Sequence, residues 1–569
     1  MDERTGNGRP AEARTVDALV VGAGFSGLYM LHTLRKMGLS THVIEAGDDV
    51  GGTWYWNRYP GARCDIESFE YSYSFDEDLQ REWKWSERYA AQPEILSYLR
   101  HVADRFDLRR DIAFSTRVTS ARWDDDSKRW TIETDKGEHY SAHYCIMGTG
   151  CLSSFNRPNI PGLDDFSGPI YMTGQWPHEG VDFTGKRVAV IGTGSSAIQS
   201  IPHIARQADR LTVFQRTPNF AVPAHNHPLT DEDHAKIQAV YPEMRKEARH
   251  SLVGASRVLP PTEKPVLAST PEELKADLDR RWAVGGLVGF VGSHPDSGLD
   301  LAAADRIAGY VRDRIRARVD DPEVAELLCP TSYPFASKRL CVDIEYYETY
   351  NRDNVDLVDL NATPIETVVS SGVRTTGGTY DVDAIVLATG FDAMTGSLSR
   401  IDIRGRDGLA LNDKWEGGPL TYLGLMSAGF PNLFMVTGPG SPSVLSNMVT
   451  SIEQHVEWIA ALLAEMEKRG AGEVEPLPEF EQGWVAMGNE FAQPTVYMQA
   501  NSWYLGANIP GKPRIFMPFI GGVHAYRDIC DDVADKGYAG FAIDGAANRQ
   551  DVDFAGHVLK YMPEEAQAA

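Results

Sequence analysis

No apolar run in the 569 residues reaches the roughly 18 that a transmembrane helix needs. Positive charge is in deficit. Lys and Arg number 55 against 80 Asp and Glu, a formal charge of −25. That imbalance favours solubility and argues against a nucleic-acid partner or an anionic membrane surface, which both recruit cations. A local basic spot can still take a small phosphate ligand. Cysteine is sparse as well. Cys64, Cys145, Cys151, Cys329, Cys341 and Cys530 form no CxxC pair and no metal-ligand spacing. A disulfide framework and a metal site are therefore not expected, and the thiols read as structural groups in a reducing cytoplasm. The opening Met1-Asp2-Glu3-Arg4 is polar and lacks the apolar stretch of a signal peptide, so residues 1–13 read as a loose tail.

The length exceeds what one core supports and implies two or three domains. Val16-Asp17-Ala18-Leu19-Val20-Val21 reads as a buried strand. Gly22-Ala23-Gly24-Phe25-Ser26-Gly27 follows, then a helix over Leu28 to Met37 and a second strand, Thr41-His42-Val43-Ile44-Glu45. A GxGxxG alone is weak, but here strand, loop, helix and acidic strand end stand in order. Gly22 permits the tight turn, Gly24 lets a pyrophosphate approach the backbone, and Gly27 lets helix and strand pack closely. Glu45 can accept hydrogen bonds from an unphosphorylated ribose, as in FAD.

The pattern recurs. Arg187–Ile191 reads as a strand, Gly192-Thr193-Gly194-Ser195-Ser196-Ala197 as its loop, and Leu211–Gln215 as the next strand. Ala197 replaces the third glycine and is still small. Gln215-Arg216-Thr217 stands where an acidic residue would face the ribose, and a guanidinium with a hydroxyl suits a 2′-phosphate, hence NADPH. Two dinucleotide sites in one chain imply hydride transfer from nicotinamide to flavin. Residues 226–330 turn charged and helical: Thr270-Pro271-Glu272-Glu273 is a helix start with a capping box, and Ala302–Val319 has helical spacing. Strands return at Val382–Leu387 and a helix at Ile452–Lys468. The expected class is α/β, with two Rossmann-like dinucleotide-binding domains and an inserted helical subdomain. The expected division is FAD domain 1–150 and 391–569, NADP domain 151–225 and 331–390, and helical subdomain 226–330.

Phe166-Ser167-Gly168, Met172 and Trp176-Pro177 precede the second glycine motif; Gly51-Gly52-Thr53-Trp54, Tyr59-Pro60-Gly61 and Asp65 follow the first. With Ala388-Thr389-Gly390, Gly438-Pro439-Gly440-Ser441 and Ser502-Trp503-Tyr504, this set resembles the Baeyer–Villiger monooxygenases over nearly the whole chain, closest to the phenylacetone and steroid monooxygenases. Those carry FxGxxxHxxxWP and GGxWxxxx(F/Y)PGxxxD. The second is complete here; in the first, Met172 replaces the histidine, and methionine cannot make its strong hydrogen bonds. His178 offers a partial substitute, or is a surface histidine.

The resemblance implies an FAD-, NADPH- and O2-dependent enzyme that turns ketones into esters or lactones through a flavin C4a-peroxide. It implies that Arg339, after Pro334-Phe335-Ala336-Ser337-Lys338, is the catalytic cation, with Asp65 as its carboxylate partner. Without the resemblance, a helix cap before Ile66-Glu67-Ser68 is the other reading of Asp65. Cofactor contacts fall to Gly22, Gly24, Gly27, Glu45, Gly52, Trp54, Asp65, Gly192, Gly194, Ser195, Arg216, Thr217, Lys338, Trp503 and Met448. Leu445, Met448 and Trp503 would line an apolar ketone pocket. Met172 keeps two alternatives open: a flavin-containing N- or S-monooxygenase, and an uncoupled NADPH oxidase. A cytoplasmic monomer is expected.

Overall fold

The computed structural model describes residues 13–562; all but the last residue of the expected N-terminal tail lies outside them. Two sheets organise the chain. In the first, strand Arg14–Val21 pairs in parallel with Thr41–Ile44 on one side and His139–Met147 on the other. The order runs Asp402–Arg404, Val118–Asp124, Arg129–Thr134, His139–Met147, Arg14–Val21, Thr41–Ile44, Ile112–Ala113, and Leu433–Met435 lies beside the end of His139–Met147. The second sheet is parallel throughout: Val355–Asp359, Arg210–Gln215, Arg187–Ile191, Ala384–Leu387, Ile170–Met172. Its inner strands are apolar and buried, as strands covered on both faces must be.

Each glycine loop runs straight into a helix, Phe25–Lys36 in the first unit and Ser195–Gln207 in the second. The first starts three residues before the sequence reading, because Gly24 is itself the extended cap and no loop intervenes. Gly27 shows why a side chain is excluded there: a Cβ would fall 1.8 Å from the Gly22 carbonyl oxygen. In the second unit the equivalent Ala197 is fully buried.

Residues 231–328 carry four helices: Asp231–Arg249, Pro271–Val284, Leu301–Arg316 and Pro322–Leu328. The Thr270–Glu273 capping box forms as expected, each side chain accepting the other's backbone N–H. A second box, Thr230 with Asp233, starts the preceding helix. The expected C-terminal helix spans Met448–Arg469. Among the described residues, no helix is long and apolar enough to cross a membrane, and all six cysteines are free and buried.

The chain passes from the first sheet to the second and back through two neighbouring straps. Residues 151–156 and 390–394 run antiparallel. Asn156 N–H bonds the Gly390 carbonyl at 2.9 Å, Asp392 N–H the Ser154 carbonyl at 2.8 Å, and Met394 N–H the Cys151 carbonyl at 3.0 Å.

Candidate functional site

One cavity of about 1160 Å3 opens at the carboxyl ends of both sheets, where open α/β sheets bind their ligands. The first sheet contributes Val21-Gly22, Ile44-Glu45 and Gly148-Thr149-Gly150; the second contributes Ile191-Gly192, Phe214 and Ala388-Thr389-Gly390. Its wall holds Arg63, Arg117, Arg216, Lys338, Arg339 and Arg400 against only Glu45 and Asp65. A cation-rich cavity in a chain of charge −25 is suited to phosphate-bearing ligands.

Each glycine loop presents an uncapped helix start to this cavity. Neither Gly24 nor Gly194 brings a side-chain cap, so the first-turn N–H groups are free for a phosphate. Gly194 lines the cavity, and a Cβ on it would meet no protein atom within 4 Å. The missing side chain therefore leaves room for a ligand, and the two loops fit two dinucleotides. Gly24 is also crowded by Gly52, whose own Cβ would lie 2.9 Å from the Gly24 Cα, and Gly51 N–H bonds the Ala23 carbonyl at 3.0 Å. The second glycine pair thus braces the first. Glu45 accepts from Ala23 N–H at 2.6 Å and Gly47 N–H at 2.7 Å, one bond to each carboxylate oxygen. Each oxygen keeps a lone pair for a ribose hydroxyl. Burial pushes the Glu45 pKa up, against the pull of the two N–H groups.

Arg339 and Asp65, 274 positions apart, meet in a two-bond fork. Arg339 Nε donates to Asp65 Oδ2 at 2.6 Å and Nη2 to Oδ1 at 2.7 Å; Nη1 donates to the Val444 carbonyl at 2.7 Å. The third bond is invisible to sequence reasoning, since a backbone carbonyl carries no residue signal. Burial alone would lower the Arg339 pKa, but the Asp65 charge and hydrogen bonds raise it, so the guanidinium stays cationic. No helix follows Asp65, which removes the helix-cap reading. Just before the arginine, Ala336 has φ +62°, a conformation non-glycine residues rarely take.

Arg216 and Lys338 line the same wall. Neither forms a salt bridge among the described residues; the Lys338 ammonium sits 4.2 Å from the Tyr333 ring centroid. Burial, then the Arg216 charge, lowers the Lys338 pKa. Two mutually repelling cations make a site for an anion. Thr217 accepts from the Thr193 hydroxyl through its backbone carbonyl, which fixes the loop.

Gly22, Gly52, Trp54, Gly192, Ser195, Thr217, Trp503 and Met448 all line the cavity. Gly27 does not, because its role is helix packing, and neither does Leu445, which is half-buried and packs against the apolar cluster of Val444, Tyr504 and Met517. Met172 ends the edge strand of the second sheet, packed against that sheet's core, and its carbonyl accepts from Gln175 N–H at 3.0 Å. Gly174 and Gln175 reach the cavity; Met172 does not. His178 is exposed and packs edge-on against Tyr55, the surface reading. Three cysteines read as purely structural, Cys64, Cys151 and Cys341, line the cavity. Burial pushes the Cys151 and Cys341 thiols up to about 12, so they stay protonated. Sequence reasoning also missed Tyr59, whose hydroxyl donates to Gln199 Oε1 at 2.7 Å and joins the segment after Thr53–Trp56 to the second unit's helix. It stands inside a quoted motif, but its partner lies 140 residues away.

Two Rossmann units opening on one cavity, with a carboxylate-clamped arginine in its wall, define a flavoprotein oxidoreductase served by a nicotinamide nucleotide. Residues 19–241 match the pyridine nucleotide-disulphide oxidoreductase family. The chain is 42% identical to the acetone monooxygenase (methyl acetate-forming) of Gordonia sp. strain TY-5, covering 93% of this chain and 99% of that one. It is also 42% identical to a Baeyer–Villiger monooxygenase of Pseudooceanicola batsensis, over 94% and 97%. The solved structure of an oxidized steroid monooxygenase bound to NADP superposes with a TM-score of 0.89 at 53% identity, over 93% and 99%. The chain belongs to the Baeyer–Villiger monooxygenases.

Proposed function

We propose that the chain is an FAD-containing, NADPH- and O2-dependent monooxygenase that converts ketones to esters or lactones. The Arg339–Asp65 fork, set in the wall of a cavity shared by two dinucleotide loops, carries this reading. A ketone as substrate class draws support from the acetone and steroid monooxygenases. When bound, FAD supplies the oxygen-activating chemistry and NADPH the electrons.

The chain's own residues do the rest. The loop of Gly22 and Gly24, closed by Gly27 packing and braced by Gly52, holds the FAD pyrophosphate, with Trp54 in the same wall, and Glu45 takes its ribose. The loop of Gly192, Gly194 and Ser195 holds NADPH, and Arg216, Thr217 and Lys338 take its 2′-phosphate. Arg339 steadies the negative charge that develops on oxygen when a carbonyl carbon is attacked. A unit charge about 4 Å away at an effective dielectric near 20 contributes about 4 kcal/mol, roughly a thousandfold in rate if confined to the transition state. Asp65 orients that cation. Trp503 and Met448, with Leu445 packed against the same apolar cluster, shape an apolar ketone pocket, which favours broad specificity. FAD belongs to residues 1–150 and 391–569 and NADPH to 151–225 and 331–390, with 226–330 as helical subdomain. Strand membership supports this: first-sheet strands come from 14–147 and 402–435, second-sheet strands from 170–215 and 355–387. The protein works as a cytoplasmic monomer; light scattering at micromolar concentration tests the monomer.

Arg339→Ala decides the assignment. The variant should retain FAD and lose about a thousandfold in ester or lactone formation from a ketone panel; a near-wild-type rate overturns the role. Peroxide measured beside product separates a coupled oxygenase from an oxidase uncoupled by Met172.

A further inference from the structure

Thr437 is an anomaly in the cavity floor. It is β-branched, 3% exposed, lines the cavity, and has φ +60°. Branching at Cβ makes that left-handed conformation a genuine outlier, which persists only where the surroundings impose it. It stands at the carboxyl end of the first sheet. The strand Leu433–Met435 just before it pairs with Cys145–Met147, and Val436 N–H bonds the Met147 carbonyl at 3.0 Å. One residue on in that neighbour, Gly148 packs against Gly22 of the first glycine loop.

A buried side chain holds the backbone N–H at this point. The Thr437 N–H donates to His455 Nδ1 at 2.9 Å. His455 lies on the helix Met448–Arg469, whose Met448 and Ile452 also line the cavity. Its ring is fully buried and packs 5.4 Å from the Tyr526 ring. Tyr526 in turn donates its hydroxyl to the carbonyl of Leu423, a second left-handed non-glycine residue at φ +57°. Because Nδ1 accepts, the neutral ring carries its proton on Nε2, which has no hydrogen-bond partner among the described residues. Protonating Nδ1 would set two donors face to face, and burial pushes the His455 pKa down to about 3. Near neutral pH the imidazole is therefore an acceptor at Nδ1.

We propose that His455 is a positioning residue for the flavin site: its Nδ1 holds Thr437 left-handed, and this shapes the cavity floor on which FAD is retained. The role presupposes that the first unit holds FAD, as proposed above. Leucine removes the acceptor, and asparagine offers Oδ1 in its place. His455→Leu should release FAD at least tenfold more readily than wild type, with shifted visible absorbance maxima of the bound flavin, whereas His455→Asn should hold FAD within threefold of wild type. The decisive variant adds Thr437→Gly to His455→Leu. Glycine adopts φ +60° unaided, so the double variant should match Thr437→Gly alone within threefold in FAD release. Melting temperatures of the apo forms show whether a variant still folds. His455→Leu with wild-type FAD release and spectrum overturns the proposal. So does equal FAD loss in His455→Leu and His455→Asn, or a His455→Leu defect that Thr437→Gly leaves intact, unfolding included. A wild-type protein that never retains FAD would instead defeat the cofactor reading.

Discussion

Replacing Asp65 by asparagine keeps the size and shape of the side chain but turns one acceptor of the Arg339 fork into a donor. Of the bonds at 2.6 and 2.7 Å, only one can survive, and an amide N–H then faces a guanidinium N–H. A hydrogen bond to a charged group contributes about 1.5–3 kcal/mol. Both partners are mostly buried, with side chains 25% and 18% exposed, so little of that is screened by solvent. If the lost bond translates into lost orientation of the cation in the transition state, kcat should fall by roughly 10- to 150-fold. KM for NADPH should move by no more than about threefold, since Arg216 and Lys338, the cations proposed to take its 2′-phosphate, are untouched. Arg339→Lys keeps the charge but cannot make the fork, so it should resemble Asp65→Asn. Residues acting as one unit are non-additive, so the double variant should be no worse than the poorer single one. Steady-state product formation with a ketone, NADPH and O2 reads all three. A kcat for Asp65→Asn within twofold of wild type, or losses that simply multiply in the double variant, would refute the positioning role.

Three further outcomes are expected. The lowered Lys338 pKa gives a pH dependence whose sign is fixed. Its charged form is disfavoured in the fold, so folding gains as pH rises through that pKa, but a phosphate needs the ammonium; KM for NADPH should climb below the usual lysine value of about 10.4, and Lys338→Met should flatten the climb. Arg216→Ala should lower the NADPH-over-NADH ratio of kcat/KM by about 10- to 150-fold, one charged hydrogen bond's worth; an unchanged ratio would detach Arg216 from the 2′-phosphate. Gly27→Ala and Gly194→Ala should part company. The first drives a Cβ into the Gly22 carbonyl and should yield protein without FAD or no folded protein. The second meets no protein atom, and should keep the wild-type melting temperature while raising KM for NADPH about tenfold.

Much of the fold could be read because local chemistry dictates it. The glycine spacing at 22–27 and 192–197 and the apolar strands around it specify two strand–loop–helix units, and Thr270-Pro271-Glu272-Glu273 specifies a helix start. Juxtaposition was not legible. Nothing in the sequence says that Asp65 and Arg339 face each other without the family resemblance, that the Val444 carbonyl completes the arginine's shell, or that Tyr333 lies under Lys338. Cys64, Cys151 and Cys341 looked like unrelated core thiols, because nothing local to any of them shows that all three line one cavity. Leu445 was expected in the cavity wall with Met448 and Trp503; it packs against the same apolar cluster as both but does not line the cavity.

The two antiparallel straps at residues 151–156 and 390–394 have an engineering consequence. Everything between them leaves and rejoins the rest of the molecule through a single hydrogen-bonded ribbon, so both splice points of a recombined gene would fall side by side in space. A chimera cut at these two places would import another protein's second glycine-loop unit as one cassette, carrying Arg216, Lys338 and Arg339 with it. Asp65, left behind in the recipient, would be the contact to match first.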